Sequence, residues 1–153
     1  SVLMLGLIKQ AGWINMKTKN LILLRDYLIA LPDKYQGFDM KHFNIDIADN
    51  NLNGNHCGTA ACMAGHMVYV DGIPKPKGDD KWNWVSYASR VSGLDEVLHF
   101  SKFNFLFSET WESCDNTTKG AAFRINYLID NPNADYGICY ESFCEEHKLG
   151  IFA

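Results

Sequence analysis

Apolar residues recur at helical spacing along most of this chain. Leu21, Leu24, Leu28 and Leu31 form one stripe, widened by Leu23 and Tyr27, while Arg25 and Asp26 fall on the water side. Asn20 suits an N-cap and Pro32 a stop, so the pattern predicts a helix over 20–31. A second helix is predicted over 83–92, where Asn83 caps Trp84, Tyr87, Ala88 and Val91 and Gly93 closes them. A third runs over 117–130, with Asn116 or Thr117 before Ala121, Ala122, Ile125, Leu128 and Ile129, and Asn131-Pro132 behind. A last helix spans 140–148, closed by Gly150, and one or two further turns fall within 94–100. Phe103, Phe105 and Phe107 alternate, but Ser101-Lys102 and Ser108-Glu109 bracket them too closely for a strand. Phe38-Asp39-Met40-Lys41-His42-Phe43 reads as a short extended piece, and one strand cannot stand alone.

Residues 58–70 carry a different pattern. Nearly every position is small or apolar, so this helix should be buried on most sides, at the centre of the domain. Gly65 costs about 1 kcal/mol relative to Ala inside a helix, which implies that a second helix crosses close over it. Burial is accordingly expected for Ala61, Ala64, Gly65 and Val68. Asn53-Gly54-Asn55 turns into the helix and Asp71-Gly72 ends it. Helical pattern dominates throughout, and the expected fold is mainly α: a single compact helical domain with irregular loops around this central element.

The connections are polar. Asp49-Asn50-Asn51-Leu52-Asn53-Gly54 matches the first half of an EF-hand loop, but Ala60 stands where a bidentate Glu is needed, so turn formation explains the run. Residues 71–80, with Pro74 and Pro76, read as a surface loop on which Lys75, Lys77 and Lys81 mix with Asp79 and Asp80 as a solvated patch. The adjacent pairs Asp79-Asp80, Asp95-Glu96 and Glu145-Glu146 point apart and read as solvated surface, not as a glycosidase dyad. Trp84 and Trp111 read as core or lid residues.

Composition narrows the classes. A length of 153 residues, 47% hydrophobic and 13% aromatic, suits one globular domain. A net charge of −4 gives no electrostatic reason to expect nucleic acid. No apolar run approaches the ~20 residues of a membrane span. Five cysteines, an odd count spread from Cys57 to Cys144, imply a reducing, cytoplasmic setting with free, catalytic or metal-bound thiols. Met16-Lys17-Thr18-Lys19 resembles a natural start, so residues 1–15 are expected to be an N-terminal extension and 16–153 the helical domain.

The string Cys57-Gly58-Thr59, Ala61-Cys62, Ala64-Gly65, preceded by Phe38-Asp39-Met40, is distinctive. With Gly93-Leu94, Leu106-Phe107, Trp111 and Ala121-Ala122 it resembles a group of small phage and bacterial proteins over about residues 21–130. Members often carry Trp where this chain has His66. The group has no established activity, so the resemblance implies a phage or mobile-element setting and no mechanism.

Two chemistries follow from the residues. Cys57, where a loop enters a helix, has the unpaired amides and dipole that favour a thiolate nucleophile. A histidine base would come from His99 or His42, each on another segment, or from the adjacent His56, giving a hydrolase for an ester, amide or peptide. Alternatively Cys62 and His66, four apart on one helix face, with Cys57 and with Cys139, Cys144 and His147 from the tail, form two clusters compatible with zinc, structural or hydrolytic. No cofactor is required by either Gly-rich phosphate motif, since both are missing. The partner is then a small-molecule or peptide substrate, or, for a non-catalytic interaction protein with or without a zinc staple, a host protein.

Overall fold

The computed structural model describes residues 16–32, 37, 38, 40, 62–81 and 83–153. Among these the fold is helical, a single compact domain. The helices are α1 (Thr18–Ala30), α2 (Met63–His66), α3 (Trp84–Ser92), α4 (Phe100–Phe107), α5 (Thr118–Asp130) and α6 (Tyr140–His147). Tight 3-10 turns occupy Met67–Tyr69, Gly78–Lys81, Glu109–Ser113 and Gly150–Phe152.

The α1–α5 pair is the most extensive packing in the domain. Leu21, Leu24 and Leu28 are fully buried on α1, and Ala121, Ile125 and Leu128 on α5. Small residues on α5 let the two backbones approach, and Arg25 donates to the Asn126 side chain at 2.8 Å along the same seam. The helix α1 starts at Thr18, with Lys17 at the N-cap position. Asn20 therefore lies inside the helix, where its amide donates 2.9 Å to the Val91 carbonyl and ties α1 to the end of α3. A cap-competent side chain has been used for a tertiary bond. The caps of α3 and α5 stand where the sequence puts them: Asn83 accepts from the Ser86 amide, and Thr117 from that of Gly120.

Ala64, Gly65 and Val68 are buried, as expected of a central segment, and α2 packs against α3 and α4. The α-helical part is short, however. It opens with Cys62 as N-cap and tightens after His66 into the 3-10 turn Met67–Tyr69, and Val70 is already extended. Residues 58–61, Ala61 included, lie outside the described residues. The phenylalanine-rich stretch is one helix, α4, because Phe103, Phe105, Leu106 and Phe107 are buried on all but one side. It begins only at Phe100. Before it stands one of the one or two turns predicted within 94–100: the His99 amide donates 2.8 Å to the Asp95 carbonyl, while the Asp95 side chain accepts from the Val97 and Leu98 amides at 2.8 and 2.9 Å.

The 71–83 connection is docked, not a free surface loop. Lys75 donates to the carbonyls of Val68 and Val70 at 2.6 and 3.1 Å, and Tyr87 donates to that of Pro74 at 2.8 Å. Asp80, expected to be solvated, is 6% exposed and accepts from Ser86 Oγ at 3.0 Å and Arg90 Nε at 2.8 Å. Burial pushes its pKa up, but Arg90 and Ser86 together outweigh that and leave it below the ordinary carboxylate value. A depressed folded pKa means that the pair contributes fully above the ordinary carboxylate range and that the contribution is lost as pH falls through the folded value. The difference in unfolding free energy between the native chain and Asp80→Asn should be about 1–2 kcal/mol near pH 6 and smaller near pH 3, below the ordinary carboxylate value, read from urea titrations. An equal difference at both pH values would rule out the charged pair as its source.

Candidate functional site

A cavity of about 850 Å³ has Tyr140 in its lining, and Tyr140 belongs to a chain of packed, mostly buried side chains. Trp111 ends up fully buried because the 3-10 turn Glu109–Ser113 folds it inward, where its indole N–H donates 2.9 Å to the Phe105 carbonyl. Tyr140, the first residue of α6, stacks on it at 4.2 Å with an interplanar angle of 11°. The Arg124 guanidinium sits 4.2 Å from the same indole. Arg124 is paired with Asp115 at 2.6 Å, both side chains wholly buried. The other Asp115 oxygen accepts from Thr117 Oγ1 at 2.6 Å, and Thr117 Oγ1 accepts from the Gly120 amide at 3.0 Å. The cap of α5 is thus continuous with the ion pair.

Two glycines make room for this. A Cβ at Gly120 would lie 1.5 Å from an Asp115 carboxylate oxygen, and one at Gly150 would lie 1.9 Å from the Cys114 carbonyl. Gly150 also has φ +56, a conformation that L side chains rarely adopt. Within the described residues Arg124 Nε and Nη2 find no hydrogen-bond acceptor, so the aromatic face and Asp115 carry the whole compensation for its burial.

Over this floor the cavity is walled by Phe100 and Asn104 of α4, by Ile138 and Cys139 of the α5–α6 connection, and by Ile151 of the tail. Phe100 and Ile151 are 66% and 68% exposed. A second cavity of about 460 Å³ shares Phe100 and Asn104 and continues to Val97. Val97 and Leu98 are 77% and 81% exposed, and the two cavities adjoin at Phe100 and Asn104 as one groove. Cys139 is exposed at the N-cap of α6, and hydrogen bonds from the Ser142 hydroxyl and then the Ser142 amide hold its thiol below the usual value.

Among the described residues, those singled out from sequence are dispersed. Cys57, His42 and His56 lie outside the described residues. His99 is the N-cap residue of α4, and its Nδ1 accepts from the Asp95 amide at 3.1 Å. His66 is buried, with Nε2 donating 2.9 Å to the Gly37 carbonyl and its ring against Phe38, Tyr27 and Tyr69. Cys62 is buried and lines a smaller cavity of about 320 Å³ that shares Asn104, Ser108 and Thr110 with the groove. In the tail, Cys144 is fully buried, Cys139 exposed, and His147 packs against Phe143 at 4.4 Å. Among the described residues no group of three or more His, Cys, Asp or Glu side chains is placed to hold a metal ion. None of their helices is long and apolar enough to cross a membrane. No protein family, curated protein or solved structure matches the chain.

The groove itself is absent from the sequence reading. Its faint signal was the apolar pair Val97-Leu98 directly after Asp95-Glu96, outside any helical stripe, and a fourth phenylalanine on a helix whose inner face three others already fill.

Asp115→Ala would leave the Arg124 charge buried and unpaired, and should cost about 3–5 kcal/mol in urea unfolding. Gly120→Ala, which pushes a methyl into the same carboxylate, should cost about 2 kcal/mol or more, and a neutral Gly120→Ala would contradict the packing described here. Cys139 should be the first of Cys114, Cys139 and Cys144 to react with iodoacetamide near neutral pH, and Ser142→Ala should slow it. Peptide-resolved mass spectrometry reads this, and equal labelling of Cys144 in the folded chain would refute it.

Proposed function

We propose that the chain is a small non-catalytic interaction domain whose groove takes an apolar peptide segment of another protein. The single observation that carries this is the cavity of about 850 Å³ lined by exposed Phe100 and Ile151, with exposed Val97 lining an adjoining cavity that shares Phe100. Large apolar side chains exposed singly need no explanation, whereas a contiguous group lining a groove is the usual mark of a binding surface. The groove floor is rigid, because the Trp111–Tyr140 stack and the buried ion pair fix it, so little ordering cost would fall on this side of a complex.

Charge narrows the partner. Among the described residues Glu141 is the one formally charged group lining the main cavity, and the segments around it add exposed Glu109, Glu112 and Asp135. An apolar segment flanked by Lys or Arg complements this surface, and one flanked by acids does not. The resemblance to small phage proteins makes a host protein the natural source of such a segment.

The hydrolase reading depends on Cys57 and on a base brought to it. Among its proposed bases only His99 is described, and that ring is engaged through Nδ1 with the Asp95 amide. No observation therefore favours it over binding.

Calorimetric titration with a synthetic peptide carrying one aromatic and one aliphatic anchor between lysines should show binding. The same anchors between glutamates should bind about tenfold more weakly or worse, roughly 1.4 kcal/mol. Phe100→Glu and Ile151→Glu should each remove the heat while leaving the circular dichroism spectrum unchanged. No heat with either peptide, or a stable dimer that loses its association on Phe100→Glu, would overturn the proposal.

A further inference from the structure

Three cavities meet along α4: the main one of about 850 Å³, its neighbour of about 460 Å³ beside Val97, and the smaller one of about 320 Å³ that Cys62 lines. Asn104 is the one described residue that lines all of them. Phe100 and Ser108, one turn to either side on the same helix face, line two each. Asparagine is a poor helix former, and Asn104 stands inside α4 where it caps neither end. Its Nδ2 donates 2.9 Å to the Phe100 carbonyl. A carbonyl can only accept, so the nitrogen is the atom turned to the helix backbone and Oδ1 is turned away from it. Among the described residues no hydrogen bond reaches Oδ1.

A free acceptor at this junction matters because of what a peptide brings into an apolar groove. An extended segment carries a backbone N–H and a carbonyl at every residue, and each one taken out of water without a partner costs about 1–3 kcal/mol. A helical segment has already satisfied its own groups within the helix. Other polar groups of the main cavity are already engaged: the Ser113 and Tyr136 hydroxyls donate to the carbonyls of Thr110 and Asn131. Among the described residues each cavity also carries one carboxylate side chain, Glu141, Glu96 and Glu109 in turn, and no basic one.

We propose that Asn104 sets the register of the bound segment: its Oδ1 accepts from a backbone N–H of an extended apolar peptide with basic flanks, and the side chains before and after that residue enter the adjoining cavities. Residues i−1 and i+1 of an extended chain point to the same face, so the two anchors are separated by one residue, and that residue supplies the N–H. Asn104 is thus a specificity-determining residue that reads backbone conformation and spacing, while the cavity walls read the anchors.

This inference rests on the interaction-domain reading, and the experiment separates the two. A lysine-flanked peptide with Phe and Leu separated by one residue is titrated calorimetrically into the native chain and into Asn104→Ala. Each peptide is used unmodified and with every backbone nitrogen N-methylated in turn. N-methylation of the residue between the anchors should weaken binding to the native chain by about three- to tenfold. Asn104→Ala should weaken the unmodified peptide by a similar factor, and the two changes together should cost no more than either alone. Alanine is the better helix former, so the circular dichroism spectrum of Asn104→Ala should match the native one. An N-methyl penalty of the same size in Asn104→Ala, or none at any position, overturns the role of Asn104 while peptide binding stands. Tighter binding by a stapled helix bearing the anchors one turn apart overturns the extended geometry. Absence of heat with every peptide overturns the interaction reading and this inference with it.

Discussion

The buried Arg124–Asp115 pair is the constraint on which the groove half of this molecule depends. Putting two charges where no solvent reaches costs several kcal/mol per ion unless the geometry is tight and the remaining polar atoms are satisfied. Here Asp115 is held from two sides, by Arg124 and by Thr117, while Arg124 has only Asp115 and an aromatic face. Moving either partner would expose the deficit. The surrounding chain consequently has little freedom: Gly120 must lack a side chain, Thr117 must cap, and Trp111 must lie flat under the guanidinium.

That rigidity propagates to the surface. Trp111 carries Tyr140, and Tyr140 starts α6, so the position of the last helix follows from the ion pair through one stacked ring. One turn on along the same face of α6, Phe143 packs edge-on against Phe105 and Tyr127 at 5.2 and 5.1 Å, which joins α6 to α4 and α5. Three helices and the tail are thereby fixed around a space that no side chain of the described residues fills. The cavity lies between elements joined by this buried pair and its stacked rings.

Much of the fold was legible because its helices obey local rules. Asn83, Gly93, Thr117 and Asn131 mark ends through backbone chemistry that is complete within a few residues, and the leucine stripe of α1 faces inward as its period requires. What escaped was non-local. Asn20 looks like a cap and serves as a long-range donor; Asp80 looks like one of two solvated acids and is selected by Arg90, ten residues on. The Cys62–His66 spacing correctly implies a shared face in a helix. It cannot say that the Gly37 carbonyl, from a distant loop, stands against that face. Cys139 illustrates the opposite case: helix N-terminal placement of a thiol was sought at Cys57, while the same local physics operates at α6, beside Ser142.

The exposed residues bear on function because the fold has an evident use for them elsewhere and does not make it. Burying a phenylalanine or leucine is worth about 1.5–3 kcal/mol, and a domain of this size has only about 5–15 kcal/mol in hand. Phe100 sits one turn before buried Phe103 and is nonetheless 66% exposed. The Asp95 turn fixes the amides of Val97 and Leu98, and so presents both side chains outward with Phe100. A hydrogen-bonded turn that holds three large apolar groups in water is hard to account for as stability of the isolated chain. It is accounted for if the area is covered in a complex, where the same groups enter a partner already oriented and with little further entropy to lose.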